Sequence, residues 1–265
     1  MKPKTKNILL ASAAVATSIG ISANAMASNV VSLKFGDGRP DIVGVENVNA
    51  ALKDIGVHVV TIDAPKSAHS ILAASYERAL DEREKRDLIH EFKLTTPELL
   101  EQVRLAGRTP AVAGGGVITE ETGTGPYPKV YDMKALDHAT HKAVLEKYAR
   151  MHVNSADDGT DIDEVMTVVS GGPFRWAFTL KDGSIARFQV EKVNLGEKAV
   201  RVSYHGLGMH AGIMDARQGL IVAYGHGPKE FTMRYQADVP HANLLGTNPW
   251  VDFSRDMPVV LDKVR

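Results

Sequence analysis

Histidines and tyrosines that could take part in chemistry are concentrated late in the chain. Tyr204 directly precedes His205, His210 follows shortly afterwards, and Tyr224 lies two residues before His226. Neutral imidazoles are common ligands of zinc and other divalent metals, and a tyrosine hydroxyl can donate a proton. If the strands that end at His205 and His226 are neighbours, their tips meet at one edge of a sheet. The spacing therefore predicts a divalent metal site, such as a zinc site, formed by His205, His210 and His226. The predicted catalytic residues are His205, His226, Tyr204 and Tyr224.

Two other interpretations of these histidines stay open. A histidine without metal, next to Asp215 or Glu230, could act as a general base, because its pKa lies near working pH. Glycines also flank both histidine segments, and glycine with an exposed histidine is typical of turns that carry no chemistry. A His-x-His pair followed by a carboxylate, which would give a stronger metal motif, is absent from the chain.

Two earlier histidines belong to a predicted helix over residues 136–151, and His152 directly follows that helix. His138 and His141 are three residues apart, so they could share a face, and His152 falls on the same side. Such a pair can bind metal, but the helix lacks the glutamate that zinc protease helices place between their histidines. We therefore expect this group to be structural.

An acidic segment over residues 154–164 has the appearance of a calcium loop. With Gly159 at the sixth position, Ala156 stands at the third position and Val165 at the twelfth. Both positions need oxygen ligands in an EF-hand, and the twelfth needs a bidentate carboxylate. The segment is better interpreted as an acidic turn that precedes a strand.

Alternating side chains predict an antiparallel meander over residues 164–235. Large apolar residues occupy every second position, with arginines between them on most strands; the arginines are Arg175, Arg187, Arg201 and Arg234. In one arrangement, helices cover the apolar face and the arginines meet water. In the other, the sheet curls into a partial barrel and the arginines line a cavity, where a desolvated guanidinium binds carboxylates well. Under the second arrangement Arg175, Arg201, Arg234 and Trp176 would bind substrate.

The N-terminal half has the pattern of a small α/β unit followed by helices. A strand over residues 30–35, a helix over 45–55 and a strand over 57–62 follow one another. Asp81 and Glu84 have the spacing of a capping box at the start of another helix. We therefore predict an α+β protein, in which an N-terminal α/β-helical part over residues 28–152 packs on the antiparallel sheet region over residues 153–265. The two parts could form one domain.

The first 27 residues have the features of a signal peptide. Three lysines precede an uncharged run over residues 8–21, and Ala25-Met26-Ala27 fits the signal peptidase pattern. The chain is therefore predicted to be periplasmic or secreted, without a membrane span.

The composition excludes some chemistry and some partners. The chain contains no cysteine, which excludes thiolate chemistry and disulfides. Three of the 31 basic residues lie in the leader, which leaves 28 against 32 acidic residues; this balance argues against nucleic acid as a partner.

These features favour an exported enzyme that acts on a small polar or anionic molecule. The predicted reaction class is lyase, isomerase or hydrolase, because neither a nucleotide-binding motif nor a thiol is present. The alternative is a non-catalytic periplasmic binding or interaction protein, whose arginine face docks an acidic ligand or partner. A purely structural domain is the third interpretation.

Overall fold

The structure is a computed structural model, and it describes residues 30–111, the backbone of 117–118, and residues 127–264. The predicted signal peptide over residues 1–27 lies outside the described residues. None of the described helices is long and apolar enough to cross a membrane.

Antiparallel pairing joins the strands of the described chain into two main sheets. The strands are β1 (Val31–Lys34), β2 (Ile42–Val43), β3 (His58–Ile62), β4 (Val117–Ile118), β5 (Lys129–Asp132), β6 (Val153–Ser155), β7 (Asp163–Gly171), β8 (Phe174–Thr179), β9 (Ile185–Val190), β10 (Ala199–His205), β11 (His210–Ile213), β12 (Gly219–His226), β13 (Thr232–Arg234), β14 (Val251–Asp252) and β15 (Val259–Val260). Sheet I has the order β11-β8-β9-β1-β2. Sheet II has the order β3-β10-β7-β12, and both β4 and β5 pair with β12. Two short ribbons, β6–β13 and β14–β15, complete the set.

Helices lie mainly in the N-terminal half. They are α1 (Val45–Leu52), α2 (His69–Glu77), α3 (Glu82–Glu91), α4 (Thr96–Leu105) and α5 (His138–Tyr148), with 3-10 turns at Lys53–Ile55, Lys66–Ala68, Met133–Ala135 and Ala242–Leu244. The predicted capping box of α3 is confirmed, because Asp81 and Glu84 bond each other's backbone amides at 2.8 and 3.0 Å. Thr95 and Glu98 form a second capping box at α4. Each box satisfies amide donors that the first helical turn leaves free.

The two sheets face each other across the largest apolar core. Phe174, Phe178 and Phe188 of sheet I pack in one cluster with Val202 and Ile221 of sheet II. Asp182-Gly183 is a pattern typical of a tight turn between two strands, and β8 pairs directly with β9 across this turn. The meander that the sequence predicts is split between the two sheets. The α+β class is confirmed, and the sheets do not close into a barrel.

The N-terminal part is not a separate α/β layer, which corrects the prediction. β1 pairs with β9 in sheet I, and β3 pairs with β10 in sheet II. Helices α2 to α4 cover the outer face of sheet II, where Leu88 and Leu99 pack with Val165. The C-terminal segment covers the outer face of sheet I through Trp250, which packs with Ala177. Both sheets are therefore buried on both faces, so the polar side of the alternation does not face water.

Candidate functional site

A cavity of about 260 Å³ lies between the two sheets. It is lined by Tyr127, Tyr131, Lys147, Tyr148, His152, Asn154, Glu164, Met166, Trp176, Tyr204, His210, Gly212, Met214, Phe231, Thr232 and Met233. The lining combines aromatic side chains with a small group of polar residues, as ligand sites in proteins usually do. Its volume is below the range that holds drug-sized molecules, so the cavity fits a small ligand.

Two histidines lie against each other in this cavity. An isolated β-bridge pairs His152, just before β6, with His210 at the start of β11, and their ring centroids are 4.5 Å apart. His152 Nδ1 is 2.7 Å from the carbonyl oxygen of Arg150, and His210 Nδ1 is 2.7 Å from that of Gly208. A carbonyl only accepts, so each Nδ1 carries the proton. The lone pair of each imidazole therefore lies on Nε2.

Burial keeps both imidazoles neutral. Desolvation lowers the pKa of His152 to about 3, and the nearby His210 contributes to that decrease. Desolvation likewise lowers the pKa of His210 to about 4. At neutral pH both side chains are thus uncharged bases, which is the form that binds metals or accepts a proton.

Glu164 of β7 is buried beside these histidines without a lysine or arginine partner among the described residues. Its side chain is 1% exposed, and its Oε1 lies 3.5 Å from His210 Nε2. The Tyr127 hydroxyl donates to Oε2 at 2.7 Å, and the Tyr204 hydroxyl lies 3.5 Å from the same oxygen. Burial raises the pKa of Glu164, although the hydrogen bonds from Asn154 and Tyr127 oppose the shift. A carboxylate with neutral neighbours alone is costly to ionise, so this site favours a proton or a cation.

Asn154 of β6 connects Glu164 with the histidines. Its Nδ2 donates to Glu164 Oε1 at 2.6 Å and lies 3.5 Å from His210 Nε2. Its Oδ1 is buried and has no hydrogen-bond partner in the described part of the chain. An unsatisfied buried carbonyl costs about 1–3 kcal/mol, so a native protein usually has a reason for keeping one.

Aromatic rings and one lysine, Lys147, line the outer part of the cavity. Phe231 stacks on Tyr127 with centroids 5.8 Å apart, and Tyr131 meets Tyr148 edge to face at 6.3 Å. Lys147, which follows Glu146 on α5, places its Nζ 5.3 Å from the Tyr148 ring centroid. This part of the lining is thus apolar within and positively charged at its edge.

Three residues predicted from the sequence line this cavity: Tyr204, His210 and Trp176. The predicted convergence of His205, His210 and His226 does not occur. His205 and His226 both stand opposite Asp163 across the ladder of sheet II. Residues opposite each other share a face, and Asp163 faces the helices, so both imidazoles lie on the side away from the cavity. His205 bonds Asp161 at 2.9 Å and His226 lies 3.2 Å from Asp163.

Tyr224 likewise lies on the helix face of sheet II. Its hydroxyl donates to the carbonyl oxygen of Ile89 on α3. Alternation along β12 explains this placement, because Tyr224 and His226 are two residues apart and share a face.

The predicted arginines do not share a surface. Arg201 is buried under the helices, where it donates to Thr167 Oγ1 and the Phe92 carbonyl, both at 3.0 Å. Arg175 pairs with Asp215 at 2.6 Å. The other two bond chain segments nearby: Arg187 donates to the Leu261 carbonyl, and Arg234 pairs with Asp157 at 2.7 Å. Each guanidinium thus bonds groups of the protein itself.

The residues that sequence reasoning missed are His152, Asn154 and Glu164. His152 was assigned to the face of a helix, but α5 ends at Tyr148 and the chain then enters β6. In extended chain His152 and Asn154 point to the same side, so the sequence His152-Val153-Asn154 followed by a carboxylate was the available signal. This pattern was overlooked because the acidic residues over 154–164 were interpreted as a turn.

The donor types in the cavity match a divalent metal, but they do not form a closed cluster. Among residues 30–111 and 127–264 there is no group of three or more His, Asp or Glu side chains with metal-binding geometry. The arrangement instead offers two histidines, one glutamate and one asparagine. Because an amide oxygen is also a metal ligand, Asn154 Oδ1 could complete the set that the acidic and imidazole groups leave incomplete.

Comparison with known proteins finds similarity at the level of the fold. No family model matches the chain, and no curated protein matches it. The fold is similar to that of "Acireductone dioxygenase from Bacillus anthracis with cadmium ion in active center", with a TM-score of 0.50 and 17% identity, over 79% of this chain and 99% of that one. At this identity the likeness concerns the fold alone.

Proposed function

We propose that the chain is an enzyme that holds one divalent metal ion at His152, His210 and Glu164 and acts on a small molecule in the cavity. The observation that carries the proposal is the matched pair of Nδ1 bonds to backbone carbonyls, at 2.7 Å each. Histidines that bind metals almost always donate their other ring N–H in this way. The similar fold of a dioxygenase that has cadmium in its active centre adds support.

The charge of the site fits a cation. Glu164 is buried among neutral groups, and burial raises its pKa. A divalent ion would supply the positive charge that this carboxylate lacks, and metal binding would replace its proton. The Asn154 amide would turn so that the unpaired Oδ1 faces the ion. Nitrogen and oxygen ligands of this kind suit zinc, iron, nickel or copper, of which zinc is the ion expected from the sequence.

When bound, such an ion would act as a Lewis acid or lower the pKa of a bound water molecule. The chain's own residues would position the metal ligands and the substrate. The Tyr127 hydroxyl donates to Glu164 Oε2 and the Tyr204 hydroxyl lies 3.5 Å from the same oxygen, so the two tyrosines would hold the carboxylate in place as a ligand. Trp176 and Phe231 would confine the substrate and exclude water.

The reaction class is the finer part of the proposal. The sequence analysis predicts a lyase, isomerase or hydrolase, whereas the similar structure is named a dioxygenase. Oxygen uptake with candidate substrates separates these possibilities. A periplasmic or secreted location is also proposed, and N-terminal sequencing of the mature protein should then begin near Ser28.

A binding protein with an arginine surface has less support. Arg201 donates to Thr167 and to a backbone carbonyl, and Arg175 pairs with Asp215. Guanidinium groups engaged in this way leave few donors for an acidic partner.

Metal analysis tests the proposal directly. The untagged protein, loaded separately with zinc, iron and nickel and then dialysed, should retain about one ion per chain, and His152→Ala and His210→Ala should lose it. His205→Ala serves as the matched control, because His205 lies outside the cavity and should leave the metal content unchanged. Failure to retain any of these ions, or equal losses in all three variants, would refute the proposal.

A further inference from the structure

Two lysine–tyrosine pairs lie beside the cavity, which is lined by Tyr131, Lys147 and Tyr148, while Lys129 lies over the Tyr131 ring. Lys129 Nζ lies 4.8 Å from the ring centroid of Tyr131, and Lys147 Nζ lies 5.3 Å from that of Tyr148. The two rings themselves meet edge to face at 6.3 Å. The two cations therefore lie on adjoining rings; of the two, Lys147 lines the cavity, and its described lining includes no second lysine and no arginine.

These two lysines differ from the other lysines nearby. Lys142 on the same helix pairs with Glu146 at 3.1 Å, and Lys85 pairs with Glu82 at 2.8 Å. Neither Lys129 nor Lys147 has a carboxylate partner in the described part of the chain. Partial burial lowers the pKa of Lys129, and the charges of Lys147 and Lys85 lower it further. Two like charges held close together without a counter-ion repel each other, and an anion between them would remove that repulsion.

The interior of the cavity suits an uncharged planar group. Trp176 and Tyr204 line it together with Phe231, which stacks on Tyr127. Aromatic rings favour stacked or edge-to-face contacts with a planar ligand. A volume of about 260 Å³ limits that ligand to a small molecule, such as one ring with one short substituent.

We propose that the substrate is a small planar acid, whose anionic group stays between Lys129 and Lys147 while its aromatic or unsaturated part enters toward His152 and His210. That the bound molecule is a substrate rests on the proposed function. Binding of its anionic group by the two lysines does not depend on either histidine. Charge selects the ligand at the two lysines, and the rings select its flat shape inside.

Matched probes test this recognition on the full mature protein. Benzoate and benzamide have nearly the same shape, but only benzoate is charged, so calorimetric titration of both ligands isolates the charge. We expect benzoate to bind with a Kd at least tenfold below that of benzamide. The double variant Lys129→Ala/Lys147→Ala should raise the benzoate Kd at least tenfold and leave the benzamide Kd within about twofold.

Lys142→Ala is the matched control, since Lys142 lies on the same helix and is already paired. It should change neither Kd. The inference is overturned if wild-type protein shows no saturable benzoate binding up to ~10 mM, which corresponds to about −3 kcal/mol. It is also overturned if the double variant and the control behave alike, or if benzoate and benzamide bind equally.

Metal content measured on the same samples separates this inference from the proposed function. Lysine-dependent benzoate binding without any retained metal would leave the recognition standing and refute the metal enzyme. Retained metal with no preference for benzoate would do the reverse.

Discussion

Asp163 and Glu164 are consecutive residues of β7, both about 1% exposed, yet they have opposite surroundings. Asp163 faces the helices, where Arg108 bonds it and the Ala111 amide donates to it at 2.8 Å. Glu164 faces the cavity, where its described partners are an amide, two hydroxyls and a neutral imidazole. The negative charge of Asp163 is balanced by the Arg108 guanidinium, whereas Glu164 has no cationic side chain beside it among the described residues. A compensated buried charge stabilises a fold only with its partner, whereas an uncompensated one is available for a ligand.

The largest expected effect comes from breaking the compensated side. Arg108→Ala leaves Asp163 buried and without its cation, which should lower the free energy of unfolding by about 3–5 kcal/mol. Urea denaturation measures the change. Arg104→Ala, which removes an exposed pair with Glu101, is the control and should lower the free energy of unfolding far less. Equal effects of the two substitutions would show that burial does not matter here.

Glu164→Gln tests the carboxylate that faces the cavity. The neutral amide removes a costly buried carboxyl, and Asn154 can turn its Oδ1 to accept from it, so the metal-free protein should keep its stability within about 1 kcal/mol. Metal affinity should fall at least tenfold, because the only anionic ligand is gone. Asp163→Asn is the matched variant, and it should show the opposite result, with lost stability and unchanged affinity per folded molecule. Competition with a chelator gives the affinity.

The stability of the metal-free protein should depend on acid pH because the two histidines of the cavity are neutral in the folded state. Their pKa values are lowered from 6.5 to about 3 for His152 and about 4 for His210. Their contribution to stability is therefore full above about pH 6.5 and is lost as the pH falls from 6.5 toward those values, because the unfolded chain binds the extra protons. Glu164 has the opposite sign, since its raised pKa makes the folded state lose stability as pH rises above about 4.5.

The double variant His152→Asn/His210→Asn should thus flatten the acid dependence of the metal-free protein. Each histidine accounts for a slope of up to about 1.4 kcal/mol per pH unit between pH 6 and pH 5. Urea unfolding at those two pH values measures the difference. Identical slopes in both proteins would contradict the assignment of neutral imidazoles.

The smallest effect is expected from a single hydroxyl. Tyr127→Phe removes the donor 2.7 Å from Glu164, which should cost about 0.5–1.5 kcal/mol and raise the pKa of Glu164 further. Carboxyl carbon chemical shifts report that pKa. Tyr204→Phe, with its hydroxyl 3.5 Å away, should shift it less. A larger shift from Tyr204→Phe would reverse the order of importance assigned to the two tyrosines.

The sequence predicted what local chemistry determines. The capping box at Asp81 and the β8–β9 hairpin depend on residues close together in the chain, and both are present. Tyr204, His210 and Trp176 were predicted as site residues, and they line the cavity because alternation decides which side chains share a face. Alternation does not decide which face meets solvent, and the helices on sheet II place Arg201 and Tyr224 in a covered layer instead.

The remainder of the site depends on contacts between distant parts of the chain. His152 reaches His210 through a single bridge, and β6 has only three residues, so its pattern is too short to identify as a strand. The position of Asp163 opposite both His205 and His226 was equally inaccessible, because it requires the strand order β10-β7-β12. Strand order follows from packing of the whole molecule.

The pairing of β1 with β9 has a consequence for how the protein is made. Val31 stands opposite Val190, and Leu33 stands opposite Phe188. β3 likewise pairs with the much later strand β10, with Val60 opposite Arg201. A ribosome synthesises the earlier strand of each pair long before the later one, so β1 can pair early with β2 alone, and β1 and β3 meet β9 and β10 only after most of the polypeptide has been made. Folding of both sheets is therefore a late event, with the slow kinetics that distant strand pairing entails.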